Sequence, residues 1–179
     1  MTSSCLLSST IADHHPATGA ADPDVTLSNL VVTIANQFEI DVCSLYFLEA
    51  DGVHLVLAAT VGLRQQCIGR LRMHSSEGLA GLVAQRRGPV AVKEAARHPR
   101  FKYFKDAGED AYHSFAGVPI VDGPILHGVL VAQTIEPYAF RPSEIRMLSQ
   151  CASQIVPVVS EIRMLGRFAS QQEPAANTP

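Results

Sequence analysis

The sequence lacks any apolar run near the roughly 20 residues that a membrane-spanning helix needs, and its start lacks the basic-then-apolar order of a secretory signal. Both absences point to a cytoplasmic chain with no membrane role. It also lacks a basic surplus: 14 Lys and Arg stand against 17 Asp and Glu, a formal charge of −3. Nucleic-acid-binding modules usually show a cationic patch or stripe, so nucleic acid is not an expected partner. No GxGxxG or GxxxxGK[ST] loop follows an apolar run, which disfavours a nucleotide-binding α/β fold. The four cysteines, Cys5, Cys43, Cys67 and Cys151, form no CxxC pair and have no His at zinc-ligand spacing. They read as reduced thiols, three of them in apolar stretches where a free Cys packs as a small hydrophobe. His14 and His15 are adjacent in a polar segment without convergent further ligands, so neither a metal nor a cofactor is expected.

What is present is enough apolar residue, 47% of 179, to build one well-buried domain. Residues 1–23 are rich in Ser, Thr, Ala, Asp and Pro without a sustained apolar period, and read as a flexible N-terminal tail. Residues 169–179, SQQEPAANTP and the Ala before it, read as a second tail or linker. The domain is expected between them, at 24–168.

Leu27, Leu30, Val31, Ile34 and Phe38 recur three and four apart, the period of an amphipathic helix, with Asp24 available to cap its start. Val42–Ala50 and Val53–Val61, β-branched and aromatic around an Asp51-Gly52 turn, predict a hairpin. Both faces of these strands are apolar, so the sheet should be covered on both sides. The middle, 62–113, is less regular: a short strand near Leu71–Met73, a helix over Gly78–Arg86, a short strand at Val90–Val92, then a charged and aromatic loop. A second hairpin follows, Ser114–Val121 and Ile125–Ile135, in which Pro119 should meet an unpaired or bulged position. The last helix opens at Pro142 with Glu144 in its first turn, and Pro157 should kink it. Its stripe of Leu148, Cys151, Ile155, Val159 and Ile162 exceeds what one sheet face needs and predicts a homodimer through the terminal helices. The order helix, hairpin, irregular middle, hairpin, helix gives an α+β fold with one central antiparallel sheet.

The stretch EGLAGLVAQRRGPVAV, followed by HPRFKYF and then YHSFAGVPIVDGPILHGVLVAQ, resembles the GAF domains found at the N-terminus of nitrogen-related phosphotransferase enzymes I, which are phosphoenolpyruvate-protein phosphotransferases. The resemblance runs over roughly residues 27–165. It implies a six-stranded antiparallel sheet with terminal helices on one face and a ligand pocket on the other, formed by the irregular middle. It further implies a non-catalytic sensory domain that binds glutamine, 2-oxoglutarate or a similar amino acid or dicarboxylate and regulates an attached phosphotransferase or other output domain. The phosphohistidine and phosphoenolpyruvate-binding parts of such enzymes do not fit in this chain.

Arg97 to Lys105 interleaves cations with aromatics, which suits an anionic small molecule. His98, Arg100, Phe101, Tyr103 and Phe104 are the candidates there, with the planar fork of Arg100 as the carboxylate anchor. Tyr112, His113 and Ser114 lead into a strand and could present polar groups to the same cavity. The competing readings are structural: the aromatics anchor a loop, the cations are solvated or neutralised by Asp106, Glu109 and Asp110, and His113 is satisfied by a hydrogen bond. A docking module without ligand is the alternative function. A thiol-dependent methionine sulfoxide reductase, using Cys67 with Cys43 as resolving partner, is a minor one. A bilin chromophore on a pocket Cys ranks below that.

Overall fold

The first helix, α1, spans Pro23–Phe38 in a computed structural model that describes residues 23–108 and 112–164, without the side chains at positions 23, 24, 106, 163 and 164. The predicted tails, apart from Pro23, lie outside the described residues, as do Cys5, the His14-His15 pair and the carboxylates of Asp106, Glu109 and Asp110. The helix begins at Pro23 rather than beside a capping Asp24, since proline's fixed φ suits a first helical turn. It ends where Glu39 turns left-handed, φ 52°, and the Ile40 amide closes on the Ala35 carbonyl at 3.1 Å.

Strands β1 (Val42–Leu48) and β2 (His54–Val61) form the first hairpin. They are shorter than their apolar runs because Asp51 Oδ1 accepts the amides of Val53 and His54 at 2.8 and 3.0 Å, drawing the tip into a turn. Strand β3 is Arg72–His74, one residue later than expected, because the Leu71 amide is taken by the Cys67 carbonyl. Helix α2 (Gly78–Arg86) and β4 (Val90–Val92) match their predicted spans. Strands β5 (Ser114–Asp122) and β6 (Ile125–Thr134) turn through Gly123-Pro124. Strand β6 stops at Thr134 because Asp41 Oδ2 captures the Ile135 amide at 2.7 Å. Beside Pro119 the β4 side of β5 is open, since β4 reaches only Gly117, and a register shift follows at Ile120 and Val121. Helix α3 (Pro142–Met164) runs on through Pro157, which lies on its exposed face.

All six strands pair antiparallel in the order β3-β2-β1-β6-β5-β4, so β1 and β6 are central. Alternation along the strands sends residues to two cores. Cys43, Leu45 and Phe47 of β1, with Leu130 and Ala132 of β6, pack under α1 and α3. Tyr46, Val129 and Val131 face the other way, towards α2 and the irregular middle. Ser44 and Thr60, opposite one another on β1 and β2, satisfy each other in the interior at 2.7 Å. The stripe expected to pair with a second copy is only 0–1% exposed, lying against the sheet and α1. Its length reflects the wide curved sheet it covers, so it supplies no exposed interface. Among the described residues no helix is long and apolar enough to cross a membrane.

Two glycines set how closely these layers approach. A Cβ on Gly117 would stand 2.7 Å from Val83 Cγ2, so α2 sits directly on β5. A Cβ on Gly128 would stand 2.0 Å from the Tyr46 carbonyl oxygen, so β6 presses against β1 with room for hydrogen alone.

Candidate functional site

The face away from α1 and α3 holds a cavity of about 40 Å³. Its floor is sheet: Tyr46 of β1, Met73 of β3, Phe115 of β5, Val131 and Gln133 of β6. One wall is the first turn of α2, Gly78 to Ala80, where backbone amides lack intrahelical acceptors and favour an anion. Ala95, Phe101, Lys102 and Phe104 of the following loop complete it. The cavity therefore stands between a helix N-terminus and an aromatic loop.

Gln133 is the one polar side chain on the sheet floor besides the Tyr46 phenol. It is 9% exposed, and its amide makes no hydrogen bond to a described residue. Its amide atoms are open to the cavity space rather than sealed in the core, so they are available to water or to a ligand. Lys102 stands over the Phe104 ring at 5.4 Å, and its Nζ pairs with Glu77 Oε2 at 2.7 Å. That hydrogen bond is the main reason the Glu77 carboxyl titrates below its usual range. The pair joins the loop to the residue preceding α2.

Of the residues singled out in the sequence, Phe101 and Phe104 line the cavity, half-buried. Tyr103 points outward, 42% exposed. Arg100 is beside the cavity rather than in its lining: its Nη2 donates to the Ser76 carbonyl and to Gln85 Oε1 at 3.0 Å, fastening the loop across α2. His98 Nδ1 accepts the Arg100 amide at 3.1 Å and shapes the same loop. Tyr112 donates its hydroxyl to the Gly62 carbonyl at 2.7 Å. His113 Nδ1 lies 2.6 Å from the Ile135 carbonyl, and Ser114 Oγ bonds Thr134 Oγ1. These last three brace the start of β5 and none lines the cavity.

Gln133, Lys102 and Tyr46 are lining residues that the sequence reading did not single out. The signal for Gln133 was present: a polar residue on the alternation of Val129 and Val131 inside an apolar strand.

The three described thiols, Cys43, Cys67 and Cys151, are buried. Cys43 packs under the helices and Cys67 in the opposite core, so the sheet separates them and they cannot meet as nucleophile and resolving partner. Burial also pushes the Cys43 thiol far above its ordinary pKa.

A sequence model of the GAF domain matches residues 22–157, and the chain belongs to the GAF domain family. Within that family it is similar to the GAF domains of phosphoenolpyruvate-protein phosphotransferases. The solved GAF domain of such an enzyme from Coxiella burnetii is 30% identical, with a TM-score of 0.79 over 90% of this chain and 94% of that one. The corresponding domain from Acinetobacter is 28% identical, with a TM-score of 0.76 over 93% and 99%. A phosphoenolpyruvate-dependent phosphotransferase system protein of Escherichia coli K12 is 31% identical over 134 residues, 75% of this chain. The chain spans only 18% of that protein's length. The free methionine-R-sulfoxide reductase of Thermoplasma acidophilum, 20% identical with a TM-score of 0.66 over 78% and 93%, shares the fold.

Proposed function

We propose that this chain is a non-catalytic sensory domain whose cavity takes a small amino acid or dicarboxylate and regulates an attached or partner phosphotransferase. The unpartnered Gln133 amide carries this reading. A ligand carboxylate set against the first turn of α2 would meet backbone amides and Lys102, while its far end would satisfy Gln133. Glutamine, glutamate and 2-oxoglutarate have that two-ended chemistry. Phe101 and Phe104 supply apolar cover, and Arg100 holds the loop that bears them. The separation of Cys43 from Cys67 argues against thiol-dependent reduction. Pairing with a second copy, as part of this proposal, would draw on the outer face of α1, where Val25 and Val32 are exposed.

One observation favours the docking alternative: 40 Å³ has room for only a few waters, whereas small-molecule pockets usually run to about 300–1,000 Å³. Binding therefore requires the loop of residues 98–105 to move outward, releasing the Lys102–Glu77 pair. Thermal melts with millimolar glutamine, glutamate and 2-oxoglutarate separate the readings. A ligand at one hundred times its Kd should add about 2.7 kcal/mol. Lys102→Ala should reduce that response by removing a contact, and Arg100→Ala by loosening the loop. An unchanged melt with all three compounds would leave docking as the better function.

A further inference from the structure

The tip of the β1–β2 hairpin carries a second cluster, at the far end of β2 and separate from the cavity lining. Arg72, projecting from the short edge strand β3, places its Nη2 at 2.7 Å from Glu49 Oε2, 3.2 Å from Asp51 Oδ2 and 2.9 Å from His54 Nδ1. One cationic nitrogen thus occupies the focus of three acceptor atoms. Those three side chains offer ligand atoms within 4.8 Å of one another. His54 Nδ1 is also 2.6 Å from Asp51 Oδ2. A nitrogen that accepts from Arg72 has no proton to give Asp51, so guanidinium and proton compete for the same lone pair.

An independent observation makes this more than a surface ion pair. The Glu49 side chain is 9% exposed, and its Oε1 has no hydrogen-bond partner among the described residues. A buried carboxylate oxygen left empty beside a filled one is the arrangement a bidentate cation would complete. Arg72 itself is 46% exposed and can swing into solvent.

We propose that Glu49, Asp51 and His54 form a binding site for a divalent transition-metal ion of the zinc class, which displaces the Arg72 guanidinium. One imidazole with two carboxylates suits Zn²⁺, whereas magnesium and calcium favour oxygen-only sets. The ion would cross-link the hairpin tip, and Arg72 would serve as its stand-in when metal is scarce.

Zinc chloride titrated calorimetrically into the full chain tests this, in a His14→Ala, His15→Ala background that removes the adjacent pair as a competing site. One equivalent should bind. Glu49→Gln and His54→Ala should each weaken binding by about tenfold or more, since even supporting residues of metal sites account for about 10–100-fold. Arg72→Gln should tighten binding, and magnesium chloride should give no saturable heat. His54 lies at the rim of the fold, so its variant keeps the test open should Glu49→Gln fail to fold. The site is overturned if the parent takes up no stoichiometric zinc, or if the His54 variant binds as the parent does. An Arg72→Gln affinity equal to or below the parent's would equally overturn it.

Discussion

Replacing Gln133 with Met should stabilise the free domain while removing its response to ligand. The amide sits on the cavity floor without a described partner, and a group of that kind fully sealed from water would cost about 1–3 kcal/mol. Less than the low end applies, because the Gln133 amide is open to the cavity space and water can reach it there. Met has nearly the same length, bends to fill irregular space and asks for no hydrogen bond. The expected gain is therefore at most about 1 kcal/mol, a rise in Tm of no more than about 2–4 °C for a domain of this size. The variant should at the same time lose the stabilisation of about 2.7 kcal/mol that a ligand at one hundred times its Kd confers on the parent. Stability gained where recognition is lost marks a residue kept for binding rather than folding. Differential scanning calorimetry, with and without glutamine, glutamate and 2-oxoglutarate, reads both effects. A free variant less stable than the parent by 1 kcal/mol or more would show that the amide has a structural task. A variant that still answers a ligand to which the parent responds would refute the assignment of Gln133 to recognition.

Two further outcomes follow from the packing and the charges. Gly128→Ala should destabilise the domain by about 1–3 kcal/mol in urea melts, since its Cβ would stand 2.0 Å from a backbone oxygen that cannot rotate away; a neutral result would mean that β1 and β6 can part freely. Glu144, which accepts the Arg141 amide, the Arg141 guanidinium and the Tyr138 hydroxyl, each at 2.7 Å, has its pKa lowered from 4.5 to about 2, chiefly by Arg141. Its contribution is full above pH 4.5 and lost as pH falls towards 2, because the unfolded chain takes up the proton first. Acid titration of Glu144→Gln should show a shallower stability loss across that window, and an unchanged slope would count against a role for these three hydrogen bonds in stability.

The fold was legible because its signals are local. The two hairpins carry β-branched and aromatic apolar runs and turn residues within 25 positions, and Gly78–Arg86 is bounded by a left-handed Gly78, φ 66°, and a left-handed Arg87, φ 49°. Strand ends were less so, since they depend on which side chain captures an amide: Asp51 at the first hairpin, Asp41 at Ile135. The cavity was legible only as composition. Aromatics and cations between Arg97 and Lys105 announced a loop with a task, but not that Arg100 would cross to Ser76 and Gln85 while Lys102 turned to Glu77. These contacts span 15 to 25 residues and arise from how α2 lies on β5. The stripe of α3 misled for a related reason: periodicity gives the width of an apolar face, not the width of the sheet waiting for it.

The sheet is one chain thick, so the wall of the cavity and the floor beneath α1 and α3 are the same backbone. On β6 the residues alternate without a gap: Val131 and Gln133 line the cavity and Val129 lies in the core on their side, while Leu130 and Ala132 face the helices. A shift of that strand to make room at Gln133 carries Ala132 with it through a single peptide bond. Leu130 and Ala132 are buried in the core beneath the helices, and close-packed interiors transmit strain. Whatever enters on one side is thus only the thickness of a peptide from α1 and α3 on the other.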